Sequence, residues 1–179
     1  MGEKVDKTSE TFLVLRCQSG DREAFDLLLR SIQAGLWRYI SNLAGEIGLA
    51  DDVLQDVFLI IYRKIGWLND PDLFRPWVYR IATRETFRVL KKRSRWQEEP
   101  FDEATIATLV APDVRVDLDV KMLECVSPAS RAVLMLHYLE DLSLNETADV
   151  LDISIGTVKS RLAYGLKTLR SRISLEGTK

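Results

Sequence analysis

Bases are the side chains whose spacing in this 179-residue chain points most directly to chemistry. Arg80, Arg84, Arg88, Lys91 and Arg95 recur every three or four residues, the repeat that lines one stripe of a helix. Across 75–95 eight bases face the single acid Glu85, and Lys159, Arg161, Lys167, Arg170 and Arg172 follow later with no acid among them. Such a stripe presents cations along roughly 20–25 Å of helix at about 1.5 Å per residue, a form suited to following a phosphate backbone. The net charge of −2 conceals this, because Glu98, Glu99, Asp102, Glu103, Asp113, Asp117, Asp119 and Glu124 lie between the two basic runs, against only Arg115 and Lys121. Two separated cationic blocks suit two contacts with one polyanion. Chance clustering of charge on exposed helices is the alternative.

The usual parts of a catalytic site are scarce. His137 is the only histidine, and Cys17 and Cys125 are too few for a disulfide framework or a four-thiolate zinc site. There is no serine nucleophile elbow and no glycine-rich phosphate loop. Glu98-Glu99 and Asp102-Glu103 resemble paired carboxylates, but nothing around them builds a pocket. The expectation is a protein that is not an enzyme and carries no metal or cofactor, with His137 an ordinary helix residue and both thiols buried and inert. Met1–Ser9 lacks the apolar core of a signal peptide, and no apolar run nears the roughly 18 residues that span a bilayer. A soluble, cytoplasmic protein is expected.

The elements that must carry these charges are helical. Apolar spacing predicts helices over 9–18, 21–45, 50–66, 73–95, 116–125, 128–140, 144–151 and 155–173, with breaks at Ser19-Gly20, Gly48, Asn69-Asp70-Pro71, Pro100, Pro112 and Pro128. The fold class is all-α: two small helical domains, 1–95 and 116–179, joined by an acidic linker over 96–115. Within 50–66, Leu54, Val57, Phe58, Ile61 and Ile65 share a core face; Asp52, Gln55, Asp56, Leu59 and Arg63 lie opposite. An acidic face interrupted by an exposed leucine suits a protein partner as well as it suits water. Trp67, Leu68, Phe74 and Trp77 flank the loop Asn69–Pro76 beside the cationic helix, where they could form a base-stacking surface or serve as core anchors.

The C-terminal domain reads as a helix-turn-helix. Ser143 and Glu146 form a capping-box pattern, and Ser154 stands ready to cap a second helix after a short turn. Val158, Leu162, Leu166 and Leu169 point inward, with Gly165 expected to allow close packing on the motif's first helix. Ser160, Ala163, Tyr164 and Lys167 are expected outward, with Thr157, Lys159 and Arg161 at the leading end. Small, polar and cationic side chains suit insertion into a major groove.

DREAFDLLL (21–29), ADDVLQDVF (50–58), RPWVYRIATRETFRVLKKR (75–93) and LSLNETADVLDISIGTVKSRL (142–162), taken together and in order, resemble the bacterial extracytoplasmic-function (ECF) sigma factors of the sigma-70 family. The resemblance implies a dissociable subunit that binds core RNA polymerase and directs promoter recognition and transcription initiation. Its polymerase-binding residues would be Asp51, Asp52, Gln55, Asp56 and Leu59. The −10 element of promoter DNA would be met by Asn69, Asp70, Phe74, Trp77, Arg80, Arg84, Arg88 and Lys91, and the −35 element by Thr157, Lys159, Ser160, Arg161, Tyr164 and Lys167. An anti-sigma factor is a further partner of the kind the resemblance allows. The roughly 19 linker residues could extend about 65 Å at 3.3–3.6 Å each, close to two duplex turns of about 34–36 Å. The sequence departs from the family at Thr83-Arg84, at Arg88 and at Ala163-Tyr164-Gly165-Leu166. The competing reading is a helix-turn-helix DNA-binding regulator that acts without joining polymerase, its N-terminal half serving to dimerise or sense a ligand. A nucleic-acid enzyme is a remoter one.

Overall fold

The structure is a computed structural model that describes residues 7–45, 47–92 and 120–176. All regular elements among the described residues are helical, and the chain divides into two compact units, 1–96 and 97–179. The whole acidic linker, 96–115 with Pro100 and Pro112, lies outside the described residues, as do Arg93 and Arg95 of the basic run.

The first unit contains α1 (Lys7–Gln18), α2 (Arg22–Ala44), α3 (Ile47–Lys64) and α4 (Phe74–Lys92). Local chemistry sets their ends. Gly20 takes a left-handed φ of 86° between α1 and α2. Asp21 then caps α2, its carboxylate accepting the Ala24 N–H at 3.1 Å and pairing with Arg16 of α1 at 2.6 Å. At the other end Gly45, φ 69°, closes α2 through an N–H bond to Ser41 O of 2.9 Å. The expected break at Gly48 falls instead at Gly45, and Gly48 lies inside α3. Once Gly45 has supplied the left-handed residue that ends α2, nothing requires a second one, and the chain re-enters helix.

Val14, Leu28, Leu36, Tyr39, Ile40, Val57, Ile61, Phe74, Val78 and Tyr79 fill the core of this unit. Tyr39 and Tyr79 meet edge to face with centroids 5.3 Å apart. The Tyr39 hydroxyl is satisfied by Thr83 Oγ1 at 2.8 Å, which also donates to Tyr79 O.

The second unit runs from a 3₁₀ turn (Val120–Cys125) through α5 (Pro128–Leu134), a π-turn (Met135–Leu139), α6 (Leu144–Leu151) and α7 (Ile155–Glu176). Two helices expected from periodicity take other forms. Residues 120–125 make i→i+3 bonds, as in Val126 N–H to Leu123 O at 3.0 Å, and Pro128 forces Ser127 into an extended conformation that stops them. The segment 128–140 widens after Leu134: Glu140 N–H reaches back to Met135 O and Leu142 N–H to Leu136 O, with Asp141 at φ 58° turning the chain away. His137 joins this exit, its Nδ1 lying 2.7 Å from Leu142 O.

Candidate nucleic-acid interface

The loop before α4 consists of two single 3₁₀ turns, Ile65–Trp67 and Pro71–Leu73. Pro71 opens the second, and the Asp70 carboxylate caps it by accepting the Asp72 N–H at 3.0 Å. Asn69 and Asp70 are exposed. Phe74, expected here as a DNA contact, is fully buried and is a core residue. Helix α4 starts at Phe74 itself, so its first turn carries the ring under the helix, where it lies 6.3 Å from Trp77. Trp77 is half-buried. The aromatic that the loop does display is Trp67, 77% exposed. Trp67 is one of the aromatics read as a base-stacking surface or core anchors, and is not among the −10 contacts that the resemblance implies; its exposure favours the first of those readings.

Along α4, Arg84, Arg88 and Lys91 are exposed and Arg80 half-buried. Two bases of this run also pair with carboxylates of the fold. Arg75 pairs with the buried Glu10 of α1, Nε donating to Oε1 at 3.1 Å and Nη2 lying 2.9 Å from Oε2. Arg88 bonds Glu85 at 2.6 Å and reaches Asp56 of α3 at 3.4 Å. Thr83, at one of the departures from the family pattern, is buried in the Tyr39–Tyr79 core.

The acidic face of α3 is brought together as expected. Asp51, Asp52, Gln55, Asp56 and Leu59 are all exposed, Leu59 to 53%. Trp37 Nε1 donates to Asp51 Oδ1 at 2.8 Å and so ties α2 to the start of this face.

In the second unit both helix starts are built as the residues suggested. Glu146 N–H bonds Ser143 Oγ at 3.2 Å and Ser143 N–H bonds Glu146 Oε2 at 2.8 Å, completing the capping box. Asp152, in the left-handed region (φ 57°), turns the chain after α6, and Ser154 Oγ accepts the Thr157 N–H at 3.1 Å to cap α7. Val158, Leu162, Leu166 and Leu169 are buried; Lys159, Tyr164 and Lys167 are exposed; Thr157 and Arg161 are half-buried. Burial pushes the Arg161 guanidinium pKa below its ordinary value. Ile155, 41% exposed at the leading end, adds an apolar side chain beside this set.

Two expectations for α7 fail. Ser160 is buried, its hydroxyl donating to Thr157 O at 3.0 Å, so it turns back on its own helix. Gly165 faces α5, not α6: a Cβ there would lie 2.8 Å from Leu134 Cδ1 and 3.5 Å from Ser130 Cβ. Both have one cause. Helix α7 packs against α5, α6 and the 120–125 turn together, so its buried arc is wider than a single apolar stripe.

Among the described residues no group of His, Cys, Asp and Glu could hold a metal ion, and no helix is long and apolar enough to cross a membrane. Cys17 is buried, with burial pushing its thiol up to about 11. Cys125, expected buried, is exposed.

Residues 28–96 match sigma-70 region 2 and residues 122–171 match sigma-70 region 4, about two-thirds of the chain between them. Similar curated proteins include the ECF RNA polymerase sigma factor SigW of Bacillus subtilis, 27% identical over 176 residues, covering 89% of this chain and 94% of SigW. Another is the ECF RNA polymerase sigma-E factor of Haemophilus influenzae, 29% identical over 189 residues, covering 94% of this chain and 97% of that one. The fold is shared with CnrH, solved in complex with the cytosolic domain of CnrY (TM-score 0.65, 21% identity, covering 95% of this chain and 99% of CnrH). It is shared too with RpoE of Bartonella quintana, solved with the anti-sigma factor NepR (TM-score 0.66, 21% identity, covering 84% of this chain and 96% of RpoE). Carrying both sigma regions in order, and similar to ECF factors over nearly its whole length, the chain belongs to the sigma-70 family as an ECF-type RNA polymerase sigma factor.

Proposed function

We propose that this sigma factor joins core RNA polymerase through the exposed α3 face of Asp51, Asp52, Gln55, Asp56 and Leu59, and brings two separate surfaces to promoter DNA. The −10 surface consists of Trp67, Asn69, Asp70 and the side chains Trp77, Arg80, Arg84, Arg88 and Lys91. The −35 surface is the outer side of α7: Thr157, Lys159, Arg161, Tyr164 and Lys167, with Ile155 placed to meet a thymine methyl. The observation that carries this reading is that each unit presents an exposed cationic helix, while the acidic, leucine-bearing face lies on a different helix of the first unit.

The division of labour follows from the chemistry. Lysines along α7 are suited to phosphates and guanine acceptors in a major groove. An exposed tryptophan beside arginines suits a single strand, where stacking contributes about 1–3 kcal/mol per base. Domains 1–95 and 116–179 would work from the two ends of the 96–115 linker. The protein would act in the cytoplasm by binding alone, with no catalytic step or cofactor of its own. CnrH and RpoE were each solved with a partner, RpoE with an anti-sigma factor; we include an anti-sigma factor among the partners of this chain on that basis.

Reversing two charges tests the reading. Asp52→Arg with Asp56→Arg is expected to abolish co-purification with core polymerase and promoter-directed transcription, with helical circular dichroism unchanged. Retained transcription would refute the α3 assignment. If the unaltered chain formed no polymerase complex yet bound duplex DNA tightly, the independent regulator would replace the sigma reading.

A further inference from the structure

Helix α1 lies wholly before residue 28, where the sigma-70 region 2 match begins. Its polar side chains nevertheless converge on the loop between α3 and α4. Gln18 Nε2 donates to Ile65 O at 3.0 Å and to Leu68 O at 2.7 Å, so one amide group spans the turn that carries Trp67. Thr11 Oγ1 donates to Asp72 Oδ1 at 2.6 Å in the following turn. Glu10 holds Arg75 where α4 begins.

These bonds add to those the loop makes within itself. Its own bonds include Leu68 N–H to Ile65 O at 3.2 Å in the first 3₁₀ turn, and Leu73 N–H to Asp70 O at 3.1 Å, Phe74 N–H to Pro71 O and the Asp70 cap in the second. Short 3₁₀ turns have poor hydrogen-bond geometry and hold weakly alone. Trp67 is too exposed for packing to place it, so its position follows from the backbone at 65–68, which Gln18 grips at both ends.

We propose that Gln18 and Thr11 are positioning residues for promoter opening: they set the shape in which the 65–73 loop meets the −10 strand, without touching DNA themselves. This rests on the assignment of that loop to the −10 element. Holding a loop in its bound shape removes an ordering cost at the moment of binding, so the gain falls on DNA engagement and leaves polymerase association unchanged.

The test compares the full chain with Gln18→Glu, which keeps the side-chain shape and removes both N–H donors, and with Gln18→Ala. Trp67→Ala and Asn69→Ala serve as direct loop variants. Amide hydrogen exchange over 66–73 is measured in the free protein. Open-complex formation by reconstituted holoenzyme is measured on a promoter and on a version with a substituted −10 element. Loss of two hydrogen bonds is expected to speed loop exchange roughly five- to thirtyfold and to shrink discrimination between the two promoters, with polymerase association unaltered. Unchanged exchange, or unchanged discrimination by the Gln18 variants while the loop variants lose opening, would overturn the positioning role and leave the loop assignment standing. If the loop variants also open both promoters normally, the −10 assignment of the loop falls, and the positioning role with it.

Discussion

Replacing Gly165 with alanine sets two sizeable effects against each other. In a helix interior alanine is favoured over glycine by about 0.8–1.0 kcal/mol. Here the added Cβ would stand 2.8 Å from Leu134 Cδ1 and 3.3 Å from Leu134 Cγ, whereas carbon atoms are most comfortable at about 3.5–4.0 Å. Leu134 is fully buried, so its methyl must shift within a packed core. Overpacking of that kind costs about 1–3 kcal/mol, which exceeds the helix gain and leaves a net loss of about 0–2 kcal/mol. The sign should reverse once the obstructing methyl is gone: Leu134→Ala alone costs about 2–5 kcal/mol, and adding Gly165→Ala to it should restore about 1 kcal/mol. Native-state hydrogen exchange of amides 158–169 across the four proteins measures this, because it reports opening of the second unit without requiring the whole chain to unfold in one step. A coupling within about 0.3–0.5 kcal/mol of zero, or a single Gly165→Ala protein more stable than the original, would refute the close approach of α5 and α7.

Lys159→Ala with Lys167→Ala should flatten the salt dependence of −35 DNA binding by one to two units, at about 0.9 per phosphate contact; an unchanged slope would take α7 off the DNA. Trp67→Ala should alter stability by no more than about 0.5 kcal/mol while impairing open-complex formation, whereas Phe74→Ala should cost about 3–5 kcal/mol. Equal thermal shifts for the two would contradict their opposite placements. Thiol alkylation at pH 8 should modify Cys125 rapidly and Cys17 only on unfolding; two fast equivalents would show that Cys17 is not covered. Because the folded Cys17 thiol is held up at about 11, above its ordinary 9.0, its contribution to stability should be complete below pH 9 and lost as pH rises toward 11. A pH titration of urea unfolding, compared with Cys17→Ala, would reveal it.

Features governed by neighbours in sequence were legible from the residues. The capping box at Ser143 and Glu146, the Ser154 cap and the acidic face of α3 each depend on residues within one or two helical turns, and the structure builds all three. What could not be read depends on contacts between elements. Phe74 looks like a loop aromatic until α4 is seen to begin under it, and Ser160 looks outward until α7 is seen to pack on three neighbours. Gly165 was read as a packing glycine, but its partner Leu134 lies 31 positions earlier, a distance no helical wheel covers. Arg75 and Arg88 counted as free charge in the sequence and are engaged by Glu10, Glu85 and Asp56 in the fold.

The dependence of the first unit on α1 bears on where this protein can be cut. A fragment starting at residue 28 would keep the whole sigma-70 region 2 match and still lack essential parts of its own fold. Val14 and Cys17 would leave the core, α2 would lose its Asp21 cap, and Arg75 would lose Glu10. The segment that matches sigma-70 region 2 is therefore smaller than the unit whose contacts hold it together. Excision of the first unit as a folded piece should begin at or before Lys7.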